Sequence, residues 1–161
     1  MHASWVGDTS SSLKTLLVVA AALIRPDPHT GEPVVLLAQR PAGKALAGLW
    51  EFPGGKLEQG ERPEQGLRRE LHEELGIDAE ASALTPLAFA SHRIDLHDHL
   101  LMPLFVCYDW EGEPVGAEGQ SITWCRAEQL DSFDMPPADL PLLPAIRRAL
   151  AARAVDIDCG T

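Results

Sequence analysis

At 161 residues with 45% apolar side chains, the chain is long enough for one domain with a real core and too short for two, and its composition argues against disorder. A formal charge of -11 argues against a non-specific nucleic-acid or anionic-membrane binder, because either needs a basic surface. An acidic protein can still take an acidic substrate when cations lie between them. Cys107, Cys125 and Cys159 make no C-x-x-C pair and no metal-finger spacing, which reads as reduced thiols in a cytoplasmic protein.

Residues 1–12 are polar and small and read as a flexible leader. The run "LKTLLVVAAALI" loosely mimics a signal peptide, but Asp8 precedes it, no basic cluster does, and it is too short to span a membrane. It is better read as a buried strand over Leu16–Ile24, followed by a turn cluster and a hairpin partner, "PVVLLAQ", at Pro33–Gln39. A Gly- and Pro-containing loop with a short extended piece at Trp50–Phe52 leads to a helix at 63–75. Pro63 suits its first position, Glu64 the positive end of its dipole, and Gly76 its stop, whereas Arg62 is a poor N-cap. Apolar runs follow at Leu84–Ala90, Leu100–Tyr108 and Ile122–Cys125, then a second helix from Leu140 to about Arg153. Strands mixed with two long helices indicate one α/β (α+β) sandwich over residues 13–155, with a tail at 156–161.

The first helix carries the densest chemistry. Glu70, Glu73 and Glu74 stand at i, i+3 and i+4 and share one face, beside an inward apolar stripe of Leu67, Leu71 and Leu75. Like charges at these spacings repel by some tenths of a kcal/mol per exposed pair. One reading is a solvated acidic face relieved by Arg68 and Arg69. The other is a site for a hard cation, Mg²⁺ or Mn²⁺, which prefers carboxylate and carbonyl oxygens and binds phosphates. Gly54 and Gly55, just upstream, permit close backbone approach to such a site.

The order Gly55-x5-Glu61-x7-Arg69-Glu70-Leu71-x-Glu73-Glu74-x-Gly76-Ile77 closely resembles the box of the Nudix hydrolases, with every fixed position filled. "LWEFPGGK", "WEGEPVGAEGQ" and "MPPADLP" resemble the MutT branch, so the likeness covers roughly residues 14 to 150. It implies a Nudix-type α/β/α sandwich with a mixed sheet and a catalytic loop-helix. It further implies Mg²⁺ (or Mn²⁺)-dependent hydrolysis of nucleoside triphosphates to monophosphate and pyrophosphate. The substrates expected are purine triphosphates, oxidised guanine forms such as 8-oxo-dGTP included, in cytoplasmic nucleotide-pool sanitisation. CTP or a dinucleoside polyphosphate is the alternative substrate within the family, and a non-catalytic Nudix-like sensor module the alternative of another class. A small-molecule nucleotide is the expected partner, with no stable nucleic-acid or membrane binding, and a monomer or small homo-oligomer as the state.

By the same resemblance Glu70, Glu73 and Glu74 are metal ligands, with Glu74 and the Gly54 carbonyl the inner pair. Glu61 supports them and Arg69 orients them through charge-assisted hydrogen bonds. Glu118, in "AEGQ", is a further ligand or the general base, a role left open among Glu61, Glu70 and Glu118. Arg40 and Lys56 are phosphate contacts, and Gly54 and Gly55 belong to the same phosphate-binding stretch. Glu51 and Phe52 fall on the substrate side, Phe52 as a base-stacking ring or else an inward core residue. Two positions depart from the MutT pattern. Asp139 replaces an Asn that would offer both a donor and an acceptor; it reads the base, caps the second helix, or does both. Asp98 aligns with an Arg for which Arg93 is a substitute. His97 and His99 share a strand face, but two imidazoles without a third ligand are a thin basis for zinc.

Overall fold

The computed structural model describes residues 12–158. The expected leader, apart from Ser12, and the last residues with Cys159 lie outside the described residues. In chain order the elements are β1 (Lys14–Pro26), β2 (Pro33–Gln39), β3 (Trp50–Glu51), β4 (Gly54–Lys56), α1 (Pro63–Leu75), β5 (Thr85–Arg93), β6 (Asp98–Cys107), β7 (Ile122–Cys125) and α2 (Leu143–Asp158).

β1 is the middle of the sheet. Its six consecutive residues Val19–Ile24 are all buried, as expected for a strand covered on both faces. β6 runs parallel to it along one side, from Lys14↔Asp98 to Leu23↔Cys107, and β5 closes that side as an antiparallel edge. The other side is divided. Residues 24–26 pair with β2, while Val18, Val19 and Ala20 pair with β4. Between these ladders the Ala21 amide donates to the Pro53 carbonyl at 2.9 Å, so the Gly54–Lys56 segment is wedged into a split between β1 and β2. β3 and β7 both pair with β2. The result is the expected α/β/α sandwich around a mixed sheet.

Alternate residues of β1 define the two cores. Val19, Ala21 and Leu23 face α1, where the fully buried Leu67, Leu71 and Leu75 pack with Leu36, Ile77 and Phe105. Ala20, Ala22 and Ile24 face the opposite layer with Val35, Leu37, Leu142, Ile146 and Leu150. Each buried leucine contributes roughly 2 kcal/mol, so the apolar stripe pins α1 to the sheet and fixes which face it turns outward.

α1 occupies the expected 63–75 span. Its start is secured by Gln65, whose Oε1 accepts from the Arg62 amide at 2.9 Å; the Arg62 side chain makes no cap. Its end is Gly76, left-handed at φ 67, whose amide donates to the His72 carbonyl at 3.0 Å. The second helix differs from expectation at both ends. Leu140–Leu142 is a 3-10 turn, because Pro144 has no amide to bond back to residue 140 and the α-helix proper begins at Leu143. It then continues to Asp158, into the expected tail, because no Gly or Pro intervenes before Gly160. Gly54–Lys56, expected within a loop, is a strand. β6 begins two residues before its apolar run, since Arg93 and His99 pair across the hairpin end, a polar register that hydrophobicity does not mark.

Candidate active site

The two glycines at the start of the acidic segment are required by close approach on both sides. A Cβ on Gly54 would overlap the Val19 carbonyl oxygen of β1, and one on Gly55 would overlap the Glu70 carboxylate of α1. Backbone without side chain therefore lies directly between the sheet and the acidic helix face.

Arg69 organises that face. Its Nε donates to Glu61 Oε1 at 2.7 Å and its Nη2 to Glu61 Oε2 at 2.9 Å, a forked pair. Its Nη1 donates to Glu70 Oε1 at 2.8 Å and, at 3.5 Å, to Glu73 Oε2, while Nη2 also reaches the Lys56 carbonyl at 3.2 Å. One guanidinium thus ties α1 to the segment before it. Glu61 accepts in addition from the Glu58 amide at 2.9 Å. The Arg69 hydrogen bonds, with that amide, hold the Glu61 carboxyl down at about 2. Arg68 gives no relief to the acidic face: its Nε donates to the Ala79 carbonyl at 2.7 Å, on the flank toward Asp78.

Glu74 is the opposite case. It is partly buried, and its Oε2 receives a single long hydrogen bond, from the Gly54 amide at 3.4 Å. Burial, then the charges of Glu70, Glu118 and Glu51, pushes its carboxyl up to about 8. Glu118 arrives from the β6–β7 connection and is exposed. Its amide donates to Gln120 Oε1 at 2.9 Å, and Gln120 Nε2 donates to the Glu74 carbonyl at 2.8 Å. Gln120 is not among the residues expected from the sequence; its only local signal is a carboxamide two positions after Glu118.

Glu51 and Asp139 stand beyond Gly54. Arg40, expected at a phosphate, holds two protein groups instead: Nη1 pairs with Glu51 Oε2 at 2.7 Å and Nε donates to the Ala45 carbonyl at 2.7 Å. Burial raises the Glu51 carboxyl, and Arg40 opposes it. Asp139 is 4% exposed. It occupies the N-cap position of the 3-10 turn, yet its side chain makes no cap; Oδ1 accepts instead from the Phe52 amide at 3.3 Å. Burial, with the nearby Glu51 charge, pushes its carboxyl up to about 7. Phe52 is 3% exposed and belongs to the α2-side core, the inward of the two placements open from the sequence. Lys56 is exposed on β4. The 93–98 hairpin turn folds on itself, with Arg93 Nε on the Asp95 carbonyl and the Asp98 amide on Asp95 Oδ1. His99 Nε2 lies 2.7 Å from Ser91 Oγ.

Among the described residues no three carboxylate, imidazole or thiol groups already converge at ligating distance. The donor set nonetheless fits a hard divalent cation. It is all oxygen, its Glu74 carboxylate has one weak hydrogen bond and three acidic neighbours, and among the described residues no lysine or arginine is paired with Glu74. Glu70 and Glu73 both pair with Arg69. No described helix is long and apolar enough to cross a membrane.

Comparison with known proteins agrees with this geometry. The model of the NUDIX domain matches residues 15–146. The CTP pyrophosphohydrolase of Escherichia coli K12 is 39% identical over 88% of this chain and 98% of its own length. The 8-oxo-dGTP diphosphatase of the same organism is 35% identical over 82% of this chain and 97% of its own. The solution structure of the E. coli ORF135 protein superposes with a TM-score of 0.72 at 37% identity, covering 88% of this chain and 94% of that one. With the glutamate-bearing helix, the glycine strand and these likenesses in place, the chain belongs to the Nudix family, as a MutT-like hydrolase.

Proposed function

We propose that the protein hydrolyses nucleoside triphosphates to monophosphate and pyrophosphate with Mg²⁺, or Mn²⁺ in its place, acting on oxidised or ordinary purine deoxynucleotides in the cytoplasmic pool and so limiting their entry into DNA. The observation that carries this reading is the partly buried, nearly unpartnered carboxylate of Glu74 beside the Gly54–Gly55 backbone. Glu70, Glu73, Glu74 and Glu118, with the Gly54 carbonyl, would hold the metal. When bound, divalent metal offsets phosphate charge and promotes ionisation of the attacking water. Arg69 holds Glu70 and Glu61 in place. The base is one of Glu61, Glu70 and Glu118; Arg69 and the Glu58 amide hold the Glu61 carboxyl well below the usual carboxylate range. Lys56 is exposed on β4 and free to meet a phosphate.

Asp139 and Glu51 form the base side. A protonated carboxyl offers one donor and one acceptor, an ionised one only acceptors. Poised near neutrality, Asp139 can meet the O6 and N7–H edge of 8-oxoguanine when protonated, or the paired donors of guanine when ionised. The protonated form also suits the N3 and amino edge of cytosine, and the 39% identity to a CTP pyrophosphohydrolase makes CTP the second reading.

Pyrophosphate release from 8-oxo-dGTP, dGTP and CTP, compared side by side with Mg²⁺, tests both. The oxidised-nucleotide reading requires 8-oxo-dGTP to be fastest, by at least about tenfold in kcat/KM. Equal turnover of dGTP or CTP would remove it, and the ratio of 8-oxo-dGTP to dGTP should fall as pH rises through about 7. Glu74→Gln should abolish turnover; full activity in that variant would mean that the metal site lies elsewhere.

A further inference from the structure

The connection between β6 and β7 is fastened to the C-terminal end of α1. The Val115 amide donates to the Leu75 carbonyl at 3.1 Å, and the Ala117 amide to the Glu74 carbonyl at 3.0 Å. The last carbonyls of a helix have no donors within the helix, so this loop supplies them from about forty residues further along the chain. Gln120 adds a different kind of link. Its Nε2 donates to the Glu74 carbonyl at 2.8 Å, while its Oε1 accepts from the Glu118 amide at 2.9 Å. One planar group therefore joins the backbone of Glu74 to the backbone of Glu118. The curl that allows this is tight: a Cβ on Gly116 would overlap the Gln120 carbonyl oxygen. Glu118 itself is exposed, so the packing of its own side chain does not hold it in place.

We propose that Gln120 is a positioning residue, a two-ended clamp that keeps the Glu118 carboxylate beside that of Glu74. A carboxamide carries a donor and an acceptor on one rigid group at any pH. A glutamate at this position would lose the donor, and a methionine of similar length would lose both functions. The inference rests on the reading of Glu118 as a member of the acidic site, and it adds a residue that touches neither substrate nor metal.

The test compares Gln120→Met, Glu118→Gln and the double variant. Two measurements are made: amide hydrogen exchange at residues 115–120 in metal-free protein, and kcat and KM for nucleotide hydrolysis with Mg²⁺. Gln120→Met should speed exchange at the Glu118 amide and lower kcat about tenfold with little change in KM, since the misplaced group acts on turnover rather than binding. In the Glu118→Gln background the same change should alter kcat by less than about twofold, because both substitutions act through one carboxylate. Unaltered exchange at Glu118, or two effects that multiply, overturns the proposal. A Glu118→Gln variant with wild-type kcat overturns it too, by removing Glu118 from the site. If the wild type hydrolyses no nucleoside triphosphate, the proposed function fails, and the exchange measurement alone decides the clamp. Should Gln120→Met not fold, Gln120→Asn, one methylene short at both contacts, is expected to show the same pattern.

Discussion

The sharpest consequence of the buried Glu74 is a metal-free protein that loses stability as pH rises. An acid whose folded-state value lies above its unfolded one binds more protons when folded, so it destabilises the fold as pH climbs between the two values. For Glu74 that window runs from 4.5 to about 8. At about 1.4 kcal/mol per pH unit the ceiling is about 5 kcal/mol. Side-chain relaxation and water entry reduce this to roughly 2–3 kcal/mol. For a chain of this size each kcal/mol moves the melting temperature by about 3 °C, so a fall of roughly 6–9 °C is expected between about pH 5 and pH 9. Asp139, raised to about 7, adds a loss of the same sign, so the part that belongs to Glu74 is the difference between the wild type and Glu74→Gln. Glu61, held at about 2, has the opposite sign: its contribution is complete above 4.5 and is lost only at more acid pH, outside the assay. Thermal melts in chelator, with wild type beside Glu74→Gln, measure the effect. The variant should lose less stability than the wild type over the same range, and Mg²⁺ should restore the wild type most at high pH, where the carboxylates are ionised. Parallel curves for the two proteins would refute the burial argument.

The two site glycines should separate stability from activity. Gly54→Ala meets fixed backbone of β1 and should cost about 3 kcal/mol, read by denaturant unfolding. Gly55→Ala meets the movable end of Glu70; it should fold with a loss under about 1 kcal/mol while turnover falls at least about tenfold. Arg40 separates two roles by chemistry. If it acts by bridging Glu51 and Ala45, Arg40→Lys should lose as much kcat/KM as Arg40→Ala, since an ammonium cannot reproduce the two-ended contact. Recovery by lysine would return Arg40 to the phosphate-binding role its place in the sequence suggested.

Local pattern alone fixes α1. A three-leucine stripe, three glutamates at i, i+3 and i+4, and a glycine stop dictate the helix, its inward side and its acidic side. The fixed spacing from Gly55 to Ile77 carries the family. The two β1 faces were harder to read, because a strand buried on both sides shows no alternation. The β4 strand leaves no mark in the local pattern, because two glycines and a lysine have little strand propensity and take their strand form from the gap in β1's pairing.

What the tertiary structure decided is how alike residues come to differ. Glu61 and Glu74 are the same side chain, but one receives a forked arginine and an amide, and the other is buried with a single amide contributed from twenty residues away. Phe52 and Asp139 meet across 87 positions, so neither the inward ring nor the uncapped, near-neutral carboxyl could be read from its neighbours. Spacing along a chain sets which groups share a helix face. Burial and charge, which set what those groups can do, depend on segments that only folding brings together.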